Sequence, residues 1–152
     1  MHQRVDQIIE QNGSNESALL AVLMDIQGEY NYLPRPALEH VAKKLNVSMS
    51  RISYMATFFT AFSLEERGKH ITTVCMGTAC HVRGAPRLVE ELERVLDIKA
   101  GGTTADKSFS LETVNCVGAC ALGPLIIADG EYQGNMTSPK VSRLIKKMRK
   151  ED

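Results

Sequence analysis

The sequence of 152 residues lacks a net charge: 18 Lys and Arg stand against 18 Asp and Glu. A general nucleic-acid binder carries a basic excess, so this balance counts against that class. No apolar run approaches the roughly 18 residues that a membrane span needs. The opening residues, MHQRVDQIIEQNG, contain no apolar leader core. These absences point to a soluble, cytoplasmic protein that does not insert into a membrane. No Gly-x-Gly-x-x-Gly follows a strand pattern and no phosphate-binding loop is present, so nothing reads as a dinucleotide site. A Cys-x-x-Cys pair is also missing, which excludes a thioredoxin-type dithiol.

The composition that remains is ordinarily globular, at 43% hydrophobic and 24% charged, with 11 Gly and 5 Pro. A chain of this length makes one domain of about 150 residues or two small ones, and its core needs no disulfide staples. Residues 1–67 read as helix after helix. Val5, Ile8 and Ile9 form a short apolar stripe that Gly13 ends. Ser14 or Asn15 then caps ESALLAVLMDIQGEY, whose Leu19, Leu20, Val22, Leu23 and Ile26 are spaced for one buried face. Pro36 suits the first turn of a third helix carrying Leu38, Val41, Ala42 and Leu45. Ser48 or Ser50 caps a fourth with Ile52, Met55, Phe58 and Phe59. The aromatic group Tyr54, Phe58, Phe59 and Phe62 reads as core, with partner interface as the alternative for part of it.

After Gly68 the period changes. Residues 70–75, HITTVC, read as a strand, 86–96 as an amphipathic helix, 109–115 and 124–128 as strands, and Asp129-Gly130 as a hairpin turn. Ser138-Pro139 opens a last helix running to about Lys150. The order β-α-β-β-β-α makes residues 68–152 a small α/β layer behind the helical part at 1–67, hence an α+β chain. Six cations, Lys140, Arg143, Lys146, Lys147, Arg149 and Lys150, lie on the last helix. They read as a solvated face that also suits a helix C-terminus, or as a docking patch for an acidic partner.

All four cysteines fall in the second half, as Cys75-x4-Cys80 and Cys116-x3-Cys120. Each pair begins where a strand pattern ends and enters a Gly-rich turn, CMGTACHVRG or CVGACALG. Loops at neighbouring strand ends bring four thiolates to one place. Gly77, Gly84, Gly118 and Gly123 permit tight turns whose N–H groups aim at sulfur. Tetrahedral sulfur sites suit zinc or iron–sulfur clusters. Spacers of four and three residues fit a [2Fe–2S] rhomb better than a zinc knuckle, and unligated or disulfide-bonded cysteines are a third reading. Arg83 and Arg87 are either cations that raise the potential of such a group or a solvated helix turn. His81 follows Cys80, but four cysteines already complete a site.

Those pairs, CMGTAC and CVGAC, placed after a helical segment containing YNYLP and ATFFTAF, resemble the thioredoxin-like [2Fe–2S] ferredoxin family over about residues 3–149. The family includes the small iron–sulfur subunit of the NADH-oxidising module of complex I. Equivalent subunits occur in NAD-linked or electron-bifurcating hydrogenases and in formate dehydrogenases. The resemblance implies a thioredoxin-like domain behind an N-terminal helical domain that docks a partner, with one [2Fe–2S] cluster on Cys75, Cys80, Cys116 and Cys120. It further implies a partner iron–sulfur flavoprotein that binds FMN and NAD(H), and single-electron exchange with that partner's flavin. Hydrogenase, formate dehydrogenase or quinone-reductase subunits are the further partners it allows. Two rivals stand beside it. One is a zinc-stabilised adaptor with no redox role. The other is a helix-turn-helix over residues 37–57, disfavoured because its second helix offers only Arg51 to phosphate in a half that is net acidic.

Overall fold

The computed structural model describes residues 1–150, and the chain divides into two compact units at Arg67–Gly68. The first unit is helical. Helix α1 (His2–Asn12) buries Val5, Ile8 and Ile9 and ends at Gly13, whose φ of 90° lies in the left-handed region. The Asn15 side chain accepts a hydrogen bond from the Ala18 N–H at 3.2 Å. This cap starts a 3-10 turn over Glu16–Ala18, so α2 (Leu19–Tyr30) begins three residues later than the apolar pattern suggests.

Leu19, Val22, Leu23 and Ile26 of α2 are buried at the i, i+3, i+4, i+7 spacing. Leu20, expected on the same face, points outward at 37% exposure, because one residue turns the side chain about 100° from the stripe. Helix α3 (Arg35–Leu45) takes Pro36 in its first turn and ends on left-handed Asn46. Ser48, not Ser50, then caps α4 (Met49–Phe58) by accepting from the Arg51 N–H at 3.3 Å. Side-chain contacts add links between elements: Arg4 pairs with Glu29 at 3.0 Å, and His40 Nε2 hydrogen-bonds with Asp6 at 2.8 Å.

The aromatic expectation needs correction. Phe62 is buried, but Tyr54, Phe58 and Phe59 are 65%, 62% and 39% exposed. They stack on one another instead of entering the core, with Tyr54 and Phe58 centroids 5.6 Å apart and Phe58 edge-on to Phe59 at 5.1 Å. The buried stripe of α4 is narrow, comprising Ile52 and Ala56.

The second unit is a mixed four-stranded sheet covered by helices. Strand β1 (His70–Cys75) leads through a five-residue helix α5 (Thr78–Val82) to α6 (Ala85–Leu96), then to β2 (Phe109–Val114). Strands β3 (Ile126–Ala128) and β4 (Glu131–Gln133) follow, then α7 (Ser138–Met148). Helix α5 is too short to show a helical period, and the sequence pattern does not reveal it. The sheet order is β2-β1-β3-β4, with β1 and β2 parallel and the remaining pairs antiparallel. Asp129 and Gly130, both at positive φ, make the expected hairpin turn. The Asp129 carboxylate also accepts from the Ile71 N–H at 2.7 Å and meets His70 Nδ1 at 2.6 Å.

Helices α6 and α7 pack on each other, and α6 also lies on β1 and β2. Leu88, Leu92, Val141 and Ile145 thereby join Val74, Phe109 and Leu111 in one core. No helix among the described residues is long and apolar enough to cross a membrane.

Leu23→Ala should destabilise the helical unit by about 2–5 kcal/mol, because it opens a cavity at a fully buried site. Phe58→Ala, at 62% exposure, should change stability by no more than about 0.5 kcal/mol. Urea denaturation of both variants checks the contrast, and equal losses would contradict the outward placement of Phe58.

Candidate metal centre

Backbone register fixes where the cysteines start. Cys75 ends β1 opposite Val114 of parallel β2, and the Met76 N–H extends the ladder to the Val114 carbonyl at 2.7 Å. The two chain segments therefore leave the sheet side by side, one at Cys75 and the other at Asn115 and Cys116. The second loop returns to the same end, where the Cys75 N–H donates to the Leu125 carbonyl at 3.1 Å. Cys80 lies on α5 and Cys120 opens a 3-10 turn, Cys120–Leu122. The 120–123 loop is held by bonds from the Asn135 N–H to the Leu122 carbonyl at 2.7 Å and from the Met136 N–H to the Pro124 carbonyl at 3.0 Å.

Close approach requires glycine at 77 and leaves little room for a side chain at 123. A Cβ at Gly77 would lie 2.5 Å from the Asn115 carbonyl oxygen and 3.2 Å from Cys116 Cβ. A Cβ at Gly123 would stand 3.0 Å from Cys80 Sγ. Gly84 and Gly118 serve differently, at φ of 107° and 77°.

All four cysteines are free thiols; Cys75 and Cys80 are buried, while Cys116 and Cys120 are exposed. The Cys75 thiol meets Cys80 and Cys116 and accepts from the N–H groups of Gly77 and Val117. Cys80 meets Cys75, lies near enough to Cys120 to feel its charge, and accepts from the Leu125 N–H. Cys80, Cys75 and Cys116 thus form a run of adjoining sulfurs, with Cys120 near Cys80. Among the described residues, no three His, Cys, Asp or Glu side chains are grouped as a single ion would need.

Burial opposes ionisation of Cys75 more than any other influence, yet the combined hydrogen bonds bring its thiol below the ordinary range. Burial pushes Cys80 up, and the adjoining Cys75 pushes it further. Outside the buried pair is an open hollow of about 610 Å³, lined by residues that include Thr78, Val82, Asn115, Cys116 and Cys120. Val82 is 81% exposed at its rim.

Arg83 is exposed, yet it is not merely solvated. Its Nη1 donates to the Cys120 carbonyl at 2.9 Å and to the Gly123 carbonyl at 3.3 Å, across 37 and 40 residues of sequence. His81 and Arg87 are exposed. A four-thiol donor set from two loops, with N–H groups aimed at sulfur, fits an iron–sulfur group in its chemistry.

The thioredoxin-like [2Fe-2S] ferredoxin family model matches residues 5–149. The chain belongs to the thioredoxin-like [2Fe–2S] ferredoxin family. Within the family's range, the NADP-reducing hydrogenase subunit HndA of Solidesulfovibrio fructosivorans is 34% identical over 145 residues, covering 95% of this chain and 85% of the relative. A subunit of the NADH-quinone oxidoreductase of Rhizobium meliloti (strain 1021) is 33% identical over 149 residues, covering 98% of this chain and 89% of the relative.

Among solved structures, an NAD+-reducing [NiFe]-hydrogenase in the air-oxidized state superposes with a TM-score of 0.76 at 20% identity over 88% of this chain. The H2-reduced state gives 0.78 at 18% identity over 92%. This chain spans 23% of the length of each of those hydrogenase chains. At such identity the likeness is one of fold, which is the helical part followed by the mixed α/β sheet of this ferredoxin family.

Gly77→Ala should destabilise the second unit by about 1–3 kcal/mol, since the added methyl is driven onto backbone. Gly28→Ala, in the last turn of α2 with nothing near the new methyl, should instead stabilise by up to about 0.5–1 kcal/mol. Thermal unfolding of the two variants tests both signs; a neutral Gly77→Ala would mean that the cysteine loops are not packed this closely.

Proposed function

We propose that Cys75, Cys80, Cys116 and Cys120 hold one [2Fe–2S] cluster, and that the chain is the iron–sulfur electron-transfer subunit of an NADH-quinone oxidoreductase or hydrogenase complex. The observation that carries this is the meeting of four free thiols from two loops at one sheet end, two buried and two exposed. Similarity to HndA and to the NADH-quinone oxidoreductase relative supports the setting in such a complex. A bound cluster supplies one-electron redox chemistry, with two thiolates on each iron.

The chain's own residues do the rest. Buried Cys75 and Cys80 keep water from the inner side, and the N–H groups of Gly77, Val117 and Leu125 stabilise negative sulfur. Cys116 and Cys120, with the hollow edged by Val82, leave the outer side open to a partner. That partner is an FMN- and NAD(H)-binding iron–sulfur flavoprotein, which exchanges single electrons with this chain through its flavin and handles hydride itself. A formate dehydrogenase-type complex is the same reading with another terminal component. The helical unit, with Tyr54, Phe58 and Phe59 outward, docks the complex. Four cysteines devoted to a metal centre, with no disulfide among them, suit a cytoplasmic setting.

Iron, acid-labile sulfide and zinc are measured on anaerobically purified protein, with EPR spectra before and after dithionite. About two irons and two sulfides per chain and a spin-half signal on reduction are expected. Cys→Ser at any of the four positions should impair cluster assembly. One zinc with no sulfide and no reducible signal, from a preparation checked for cluster loss, would replace this reading with a zinc-stabilised adaptor.

A further inference from the structure

We infer that Arg83 is a positioning residue that clasps the two cysteine loops together and keeps one positive charge at their junction, next to Cys80 and the Cys120 turn. Its charge role rests on the cluster reading above; its clasp does not. Cys80 and Arg83 are three residues apart, Cys80 within α5 and Arg83 at its C-terminal cap, so their side chains leave on neighbouring sides of that turn. Gly84, at φ 107°, ends α5 directly after Arg83 and turns the chain into α6.

On the other loop, the Cys120 carbonyl accepts from the Gly123 N–H at 3.1 Å as well as from Arg83 Nη1 at 2.9 Å. Both lone pairs of that carbonyl are thereby used. The Gly123 carbonyl takes a second bond from the same Nη1 at 3.3 Å. A Cβ at Gly123 would lie 3.0 Å from Cys80 Sγ and 3.6 Å from Arg83 Nη1, so Gly123 fills the notch between sulfur and guanidinium. One side chain on the first loop therefore fixes both ends of the turn that carries Cys120. Cys120 itself is exposed and has little packing to hold it.

The charge matters because of what it faces. Arg83 has no carboxylate partner among the described residues, and its guanidinium bonds only neutral carbonyls. Four thiolates around a two-iron core carry a net charge of about −2 when oxidised, and one more negative charge when reduced. A nearby uncompensated cation favours the reduced form. Lysine would keep the charge but present it as a point on a flexible stem, with a poorer hold on two carbonyls at once.

The test uses the full chain with Arg83→Met, Arg83→Lys and, as a charge control with no bond to either loop, Arg87→Met. In metal-free protein, hydrogen exchange at the Leu122 and Gly123 amides should be several-fold faster in Arg83→Met and intermediate in Arg83→Lys. It should be unchanged in Arg87→Met. Unchanged exchange in both Arg83 variants overturns the clasp. Should Arg83→Met fail to fold, as judged by circular dichroism, Arg83→Lys alone decides on the same criterion.

In cluster-loaded protein, Arg83→Met should lower the reduced-to-oxidised ratio at fixed potential by up to about tenfold, equivalent to 59 mV for one electron. Arg83→Lys should retain most of the wild-type value while releasing iron to a chelator faster. A midpoint potential in Arg83→Met equal to that of wild type overturns the charge role. A wild-type chain without iron and sulfide defeats the cluster reading and the charge role together, and the metal-free exchange rates still decide the clasp.

Discussion

The parallel pairing of β1 with β2 is the constraint on which the candidate centre depends. Because Cys75 stands opposite Val114, the first residues of both cysteine loops leave the sheet at one level and in one direction. A slip of one residue would turn alternate side chains to the opposite face and separate Cys75 from the Asn115–Cys116 exit. Pairing with β3 closes the arrangement, since the Cys75 N–H to Leu125 bond brings the far end of the second loop back to the strand where the first begins. The core under this register is largely apolar: Val74, Phe109, Leu111 and Leu125 are buried, with Thr72 and Ser110 as buried polar members of the same strands. The precision of the sulfurs is thus borrowed from sheet hydrogen bonds and from Leu88 and Leu92 of α6, none of which touches the chemistry.

Gathering thiols in this way has a cost that the site answers locally. Desolvation resists ionisation of both inner cysteines, and Cys75 further resists that of Cys80, whereas Cys80 and Cys116 favour ionisation of Cys75 by hydrogen bonding to it. Backbone N–H groups at Gly77, Val117 and Leu125 offset part of this, and they are available because loop backbone at a strand end has donors not used by the ladder. Gly77 and Gly123 are small for the same reason: the loops approach so closely that a methyl group would meet Asn115 backbone in one case and Cys80 sulfur in the other. Close approach and donor supply are one design, because a loop that stands back to admit a side chain also withdraws its N–H groups.

Much of this is legible in the sequence, and the exceptions share a cause. HITTVC announces β1 through its β-branched residues, the α6 stripe is regular, and Asp129-Gly130 marks the hairpin. The cysteine pairs can be placed at strand ends because strand pattern and glycine both mark them. Leu20, Phe58 and Phe59 depart from expectation because apolar identity says nothing about the width of the buried stripe, which tertiary packing sets. Helix α5 is a turn and a half long, below the length at which a period exists. The setting of Arg83 is hidden because its partners are backbone carbonyls 37 and 40 residues away, and neither charge nor spacing records such a bond.

The burial asymmetry of the four thiols bears on how an electron would pass. Cys75 and Cys80 lie in the apolar core, at 3% and 2% exposure, where a low dielectric makes added negative charge expensive. Cys116 and Cys120 are exposed, where water or a docked partner can respond to that charge. A site built this way has a face, and the outer pair with the Val82-edged hollow is the side on which exchange with another protein costs least reorganisation of the chain. The inner pair fixes geometry through the sheet. Of the outer pair, Cys116 is held at the β2 exit against Cys75 and Gly77, while Cys120 depends on the 120–123 turn and what ties it down. Rigidity on the exposed side therefore has to come from contacts between loops, and those contacts, more than the core, govern how reproducibly the outer sulfurs meet a partner.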